Sequence, residues 1–369
     1  MGIRGLTGWI RWVSPQSFET PDWSAYAGKT LGVDILGQLY KIKAQRSCPL
    51  KYLAEFISHC RKLKINPVFV FDGKPPEAKR AALKERSALR ESSLASLKIL
   101  ETEVAPYVKT VAERSALEAR IKSLSAYTSF LSSEERDLCK QLCYACGVLC
   151  LNATGEADDV LAYLTHKGTF DAVVSSDLDL LARGVKTLLV PQTWSMPGDG
   201  DGWVSYNLPP LLQKVSFTYD QFVEMCVLMG SDYTVGLQSL PYRSAYWAIK
   251  YRGELLKTLE VMGVREEGPY MEAVRRLKGL CETQATLMGE KQWEKLSAGA
   301  PPLEPSNLDL FVAGPLSTLS PVILQYLYGS TNDSTSGSLH NRCDGAGSPH
   351  DHPKSPDCEQ KQNEEQDCR

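Results

Sequence analysis

The sequence predicts an α/β fold: a twisted, mostly parallel sheet flanked by helices. Two observations carry that expectation. Short β-rich apolar runs recur as far as Val190, and segments with helical spacing lie between them. Strands joined through helices align in parallel, with helices covering both faces of the sheet. A third feature interrupts the alternation. Residues 77–135 are rich in Ala, Leu, Lys, Arg and Glu with little β signal, the composition of an inserted helical element.

Strands are expected at Thr30–Asp34, Asn66–Phe71, Val148–Leu151, Asp171–Ser176 and Lys186–Val190. Each is short and apolar, as a strand buried on both faces should be. Helical spacing covers Lys51–Leu63, Glu134–Cys146, Asp158–His166 and Tyr219–Gly230, with Gly230 as the stop of the last. Helical patterns continue to about residue 328, broken at Pro301-Pro302 and Pro305. From Gly329 onward aliphatic residues almost vanish, so 329–369 is expected to be a disordered acidic tail. The chain thus reads as an α/β core over 1–213 that includes the insertion, a helical region over 214–328, and the tail.

The 369 residues are 43% hydrophobic and 23% charged, ordinary for a globular chain of one large or two modest domains. No apolar run approaches a membrane span, and the opening Met1-Gly2-Ile3-Arg4-Gly5-Leu6 lacks a secretory leader's apolar stretch. Leu6 stands where a myristoylation motif wants Ser or Thr. An intracellular protein is expected. The eleven cysteines are then free thiols. Cys139, Cys143, Cys146 and Cys150 follow at steps of four, three and four, which places the first three on one helix face. That face is expected to be core, since ligands strung along one helix cannot converge on tetrahedral zinc. Net charge is −3, yet residues 330–369 hold eight acids and four bases, so the rest sums to +1. Between Lys74 and Lys98 seven bases face three acids, a local basic footprint.

Several acids stand where strands should end. Asp34 closes Leu31-Gly32-Val33-Asp34, Asp72 closes Val68-Phe69-Val70-Phe71-Asp72, and Asp177 and Asp179 follow Ala172-Val173-Val174-Ser175-Ser176. Glu156 and Asp158, in Gly155-Glu156-Ala157-Asp158-Asp159, open a helix, and Asp232 follows one in Gly230-Ser231-Asp232-Tyr233. Singly, each acid is better explained as a cap or turn residue. Jointly, parallel strands would aim them at one edge, where uncompensated carboxylates repel. An excess of oxygen ligands suits Mg²⁺ or Mn²⁺. Two such ions about 3.5–4 Å apart can hold the attacking water and the leaving oxygen of a phosphodiester.

These motifs, together with Met1-Gly2-Ile3-Arg4-Gly5-Leu6, Phe71-Asp72-Gly73-Lys74-Pro75-Pro76 and Asp177-Leu178-Asp179-Leu180-Leu181, resemble the flap endonuclease and xeroderma pigmentosum group G family of structure-specific 5′ nucleases. The likeness covers about residues 1–260, and it is the order of six weak motifs that makes it specific. The resemblance implies a 5′-nuclease, PIN-like core acting on branched or 5′-flapped DNA in replication, repair or recombination. Two Mg²⁺ ions are implied, with Mn²⁺ able to substitute. Asp34, Asp72, Glu156 and Asp158 would favour one ion, and Asp177, Asp179 and Asp232 the other. The insertion would form a helical arch over the site, with Lys79 and Arg86 as the basic pair at its base. Tyr40 would stack on a base beside the cleavage point, and Arg46 and Lys74 would contact DNA. Glu156 lies 84 positions after Asp72, room for an arch but not for the very long spacer of the excision-repair branch. The flap endonuclease and exonuclease branches stay open.

One stretch departs from the family pattern. The glycine-rich hairpin that binds duplex DNA and K⁺ within a helix–two-turn–helix motif corresponds to Gln238-Ser239-Leu240-Pro241-Tyr242-Arg243, with Ser239 and Pro241 in place of its glycines. Ser and Pro do not give a backbone the same close approach to phosphate, so altered duplex anchoring without the K⁺ site is expected, with Arg243 still contacting phosphate. No sliding-clamp motif and no basic nuclear signal stand out, as in a divergent member such as a large DNA virus carries. A monomer acting in the nucleus is expected. Two other readings share the same fold: a non-catalytic junction-binding scaffold and an RNA-directed nuclease.

Overall fold

In the computed structural model the described residues are 2–279, apart from 16–18, 45–47, 108–109, 129–130, 193–195, 199–201, 235 and 238–239. Arg46, Ser239 and everything expected beyond Gly279 lie outside them.

The chain opens with a short helix, α1 (Leu6–Val13), and then enters the sheet at β1 (Thr30–Asp34). Helices α2 (Leu36–Ala44) and α3 (Pro49–Lys62) carry it across to β2 (Asn66–Phe71). The insertion follows: α4 (Arg80–Ile99) and α5 (Val111–Thr128) form a helical hairpin, packed side by side and joined through turns at Leu100–Val104 and Ala105–Tyr107. The chain returns through α6 (Ser133–Ala145) to β3 (Cys150–Asn152). Ser132 caps α6 in a reciprocal box with Glu135. Next come α7 (Ala157–His166), β4 (Ala172–Val174), the single turn α8 (Asp179–Ala182) and β5 (Thr187–Pro191). Last are β6 (Trp203–Asn207) and five helices, α9 (Leu208–Val215), α10 (Tyr219–Met229), α11 (Tyr242–Arg252), α12 (Leu255–Val261) and α13 (Gly268–Leu277).

The six strands lie in the order β3-β2-β1-β4-β5-β6, parallel except for β6. From β1 the chain first builds outward through β2 and β3, then crosses back to β4 on the other side. That reversal opens a crevice at the carboxyl ends of β1 and β4, the place where such sheets collect ligands. Along each strand the side chains alternate between two cores. Val68 and Val70 enter the core shared with α1, α7 and α10, while Phe69 and Phe71 enter the one shared with α3 and α6. Gly32 is required in β1, because a Cβ there would lie 2.5 Å from the Phe170 ring.

Three expectations need correction. The third strand begins two residues late, at Cys150, where its ladder with Phe69 starts. The fourth covers only Ala172–Val174 of Asp171–Ser176, with the Asp171 amide still donating to the Thr30 carbonyl and the Ser175 amide to the Leu189 carbonyl at its two ends. The antiparallel edge strand β6 was missed, since only Trp203 and Tyr206 of its residues pack deeply as large apolar groups and Ser205 and Asn207 read as polar. The cysteine face is core: Cys139, Cys143, Cys146 and Cys150 are buried free thiols, and burial raises the Cys139 thiol to about 12. Cys143 and Cys146 are spaced as Cys-x-x-Cys, yet sit inside an apolar layer. No helix of the described residues is long and apolar enough to cross a membrane.

Candidate active site

Because β1, β2 and β4 run in parallel, Asp34, Asp72 and Asp177 emerge at the same edge. A relay of hydrogen bonds fixes them there. The Ser175 hydroxyl donates to Asp34 Oδ2 at 2.9 Å, and the Asp177 amide donates to Ser175 Oγ at 3.0 Å. The Asp179 amide in turn donates to Asp177 Oδ1 at 3.0 Å. Across the crevice, Asp72 Oδ1 accepts the Ala157 amide at 2.8 Å, so the acid of β2 caps α7 and lies beside Glu156 and Asp158. Asp232 arrives from α10, which stops at Gly230 (φ 97°) and turns through Ser231–Thr234.

The opening motif also acts here, which its sequence did not reveal. The Ile3 amide donates to Asp179 Oδ1 at 2.6 Å, and the Arg4 amide donates to the Gly230 carbonyl at 3.1 Å. Gly2 has φ +117°, and a Cβ there would lie 2.6 Å from Asp179 Oδ1. Only glycine allows the backbone so close to two carboxylates.

Cations reach in from the insertion. Lys79 Nζ is 2.6 Å from Glu156 Oε1 and 3.3 Å from Asp232 Oδ2, and Arg86 Nη2 donates to the same Asp232 oxygen at 2.9 Å. Lys79 belongs to the turn before α4 and Arg86 to α4 itself, so the base of the hairpin leans over the edge. On the inner side, Arg183, the residue after α8, is 3% exposed and donates to Asp159, Glu156 and the Tyr233 hydroxyl. Neither Arg183 nor its partner Asp159 was among the candidates from sequence. The available signal was one arginine in an otherwise apolar run, Leu180-Leu181-Ala182-Arg183-Gly184-Val185.

Electrostatics divide the acids into two groups. Burial, reinforced by Asp72, pushes Asp34 up to about 7. Burial and Asp177 do the same to Asp179, also to about 7. Asp158 is raised well above the carboxylate range by burial, which Arg183 only partly offsets. Glu156 and Asp232 behave oppositely. Burial pushes both up, but Lys79 with Tyr233 and Arg183 at Glu156, and Lys79 with Arg86 at Asp232, together outweigh it and hold them below the usual range. Tyr40 is half-buried on α2 near Arg136 and Asp72, and Lys74 is exposed just beyond Asp72. Arg243 lies over the rings of Trp12, at 5.3 Å, and Tyr242, at 6.0 Å.

Among the described residues no three His, Cys, Asp or Glu side chains already converge on one ion position. Glu156 and Asp232 face cations, and Asp34, Asp72 and Asp179 each accept a hydrogen bond from a neighbour. The donor chemistry nevertheless fits hard divalent ions. The set is all oxygen, and it is crowded enough that burial and like charge keep Asp34, Asp158 and Asp179 from ionising normally.

Comparison with known proteins matches this arrangement. The XPG N-terminal domain matches residues 1–93 and the XPG I-region matches 147–232, which together contain all seven acids. Flap endonuclease 1-B of Physcomitrium patens is 28% identical over 317 residues, covering 79% of this chain and 86% of that protein. A probable flap endonuclease 1 homolog of Danio rerio is 31% identical over 242 residues, covering 63% of this chain and 58% of that one. Among solved structures, flap endonuclease-1 from Methanococcus jannaschii shares the fold at a TM-score of 0.50 with 21% identity, over 71% of this chain and 81% of that one. The catalytic core of Rad2 in complex with DNA substrate shares it at 0.55 with 15% identity, over 89% and 96%. With both domains present in order and the relatives' sequence running along most of its length, the chain belongs to the flap endonuclease and XPG family of structure-specific 5′ nucleases.

Proposed function

We propose that this member cleaves phosphodiesters of 5′-flapped or branched DNA with two divalent ions, Mg²⁺ by preference and Mn²⁺ as a substitute. Asp34, Asp72, Glu156 and Asp158 would hold one ion, and Asp177, Asp179 and Asp232 the other. Bound ions of this kind supply a deprotonated water nucleophile and neutralise the leaving oxygen. The chain's own residues prepare the rest. Strand register and the Ser175 relay hold three of the acids at fixed spacing. The carrying observation is that Lys79 and Arg86 converge from the insertion onto Glu156 and Asp232. Cations in that position can grip the scissile phosphate and offset charge developing on it. Tyr40 and Lys74 lie beside Asp72, suited to the adjacent nucleotide and its phosphate. The duplex would rest on the helices after Asp232, with Arg243 on phosphate. On this reading the protein would act in the nucleus, on replicating or damaged DNA, as a monomer.

The test is direct. The pure chain is incubated with labelled 5′-flap DNA, nicked duplex and single-stranded RNA, in Mg²⁺ or EDTA. Mg²⁺-dependent release of a 5′ fragment from flap DNA is expected. Binding without any product would favour the scaffold reading, and product from RNA alone would favour an RNA-directed enzyme.

A further inference from the structure

Arg183 has no part in the chemistry above, yet it is buried like a core residue at the carboxylate edge, 3% exposed. Its guanidinium is shared. One nitrogen donates to Asp159, and the other donates to Glu156 Oε2 at 3.2 Å and to the Tyr233 hydroxyl. The Tyr233 hydroxyl then donates to the same Glu156 oxygen. The two oxygens of Glu156 are therefore divided between environments. Oε2 is held inside by Arg183 and Tyr233, while Oε1 faces the cleft, 2.6 Å from Lys79 Nζ.

The backbone around Arg183 is pinned from three elements. Its amide donates to the Asp179 carbonyl at 3.0 Å, one turn back along α8. Its own carbonyl lies 3.0 Å from His166 Nε2 at the end of α7, and the preceding Ala182 carbonyl accepts the Tyr219 hydroxyl from α10 at 2.8 Å. The planar fork of arginine suits such a fixed, several-point hold where a lysine would give a single point charge. Stability alone does not account for it, because a buried ion pair is often no more stabilising than apolar residues of the same volume.

We propose that Arg183 is a positioning residue for the nuclease centre: it holds Glu156 Oε2, directly and through Tyr233, so that Oε1 is the oxygen presented for a divalent ion. This rests on reading the edge as a metal centre. Asp159 accepts from the other guanidinium nitrogen, so Glu156 is not the sole counter-ion of Arg183. Because Arg183 follows Asp179 on one turn and Tyr233 follows Asp232 in sequence, the same contacts tie the two expected ligand sets together.

The experiment compares the wild type with an Arg183→Leu, Asp159→Leu double variant, which removes the pair while filling its volume, and with Arg183→Lys and Tyr233→Phe. Each is measured by thermal unfolding in EDTA, by calorimetric Mn²⁺ binding without DNA, and by the Mg²⁺ concentration giving half-maximal single-turnover cleavage. The double variant should unfold at or above the wild-type temperature yet bind Mn²⁺ about 10–100-fold more weakly. Its Mg²⁺ requirement should rise in step, with flap DNA affinity unchanged. Arg183→Lys and Tyr233→Phe should move the same way by less. A folded double variant with wild-type Mn²⁺ affinity and Mg²⁺ requirement would overturn the assignment. Should the double variant fail to fold, Tyr233→Phe and Arg183→Lys decide by the same readouts, and wild-type Mn²⁺ affinity in both overturns it. A wild type that neither binds Mn²⁺ nor cleaves in Mg²⁺ would instead remove the nuclease reading itself.

Discussion

Asp34, Asp72 and Asp177 stand at the ends of parallel strands, whereas the residues expected to grip duplex DNA hang on one turn and one helix. The first region needs little from its local sequence. Register between β1, β2 and β4 sets the spacing of its acids, and both cores lock that register. The second depends on what stands in the turn. There Leu237 donates to the Leu228 carbonyl, Leu240 donates to Leu237, and Pro241 caps α11. The helix that follows lays Tyr242 against Gly5 and Gly8 of the opening segment. It presents Arg243 over Trp12, and Trp247 stacked on an exposed Tyr251. An aromatic and cationic surface stands beside a turn without the family's two glycines. Acids placed by strand register are therefore expected to keep their positions through sequence divergence, whereas a grip carried on a turn depends on the residues of that turn.

That contrast predicts a clean separation of cutting from binding. Asp177→Ala or Asp179→Ala should lower single-turnover cleavage by roughly a thousandfold or more, since ion-borne charge stabilisation supplies several kcal/mol. Flap DNA affinity, read by fluorescence anisotropy, should stay near wild type; full-rate cutting by either variant would break the site assignment. Lys79→Ala and Arg86→Ala should each cost about 10²–10³-fold in the same assay. Equal loss of rate and affinity would place them in the grip instead.

The pH dependence of the metal-free protein sharpens the first region. Asp34 and Asp179 have folded pKa values raised to about 7 from a reference of 3.8. A raised value means that the fold favours the protonated acid. The stability it contributes is fully present below the reference value and is lost as pH rises through about 7. Melting temperature in EDTA should therefore fall as pH rises from about 5 to 8, and Mg²⁺ should restore most of it at pH 8. A flat profile would show that these acids do not crowd one another.

Gly73→Ala should destabilise by about 1–3 kcal/mol in urea, because the added Cβ would lie 2.1 Å from the Ala153 carbonyl oxygen. The smallest effect belongs to the second region. Arg243→Ala should weaken duplex binding by roughly tenfold or less and reduce its salt slope by about 1, with cleavage at saturating enzyme unchanged. Pro241→Gly with Ser239→Gly should tighten binding if the hairpin is what was lost.

The five parallel strands and the acids at their ends were legible because strand-end acids and helix stops leave local marks: Asp34 after Val33, Asp72 after Phe71, Gly230 after a helix. Lys79 and Arg86 were found through the family likeness, and the geometry gives them a common partner in Asp232. Arg183, Asp159, Ser175 and the Gly2-Ile3 backbone were not legible as site elements. Their roles arise from packing between segments as much as 176 positions apart, as in the Ile3–Asp179 bond, and no local periodicity encodes such a contact. The edge strand β6 escaped for a related reason, since its pairing partner, not its own composition, makes it a strand.

Anomalous diffraction from crystals of the wild type grown with Mn²⁺ tests the two-ion reading most directly. Two peaks are expected at the carboxyl edge of the sheet, one among Asp34, Asp72, Glu156 and Asp158 and one among Asp177, Asp179 and Asp232. No peak at that edge, with Lys79 and Arg86 still seated on Glu156 and Asp232 at saturating Mn²⁺, would contradict it.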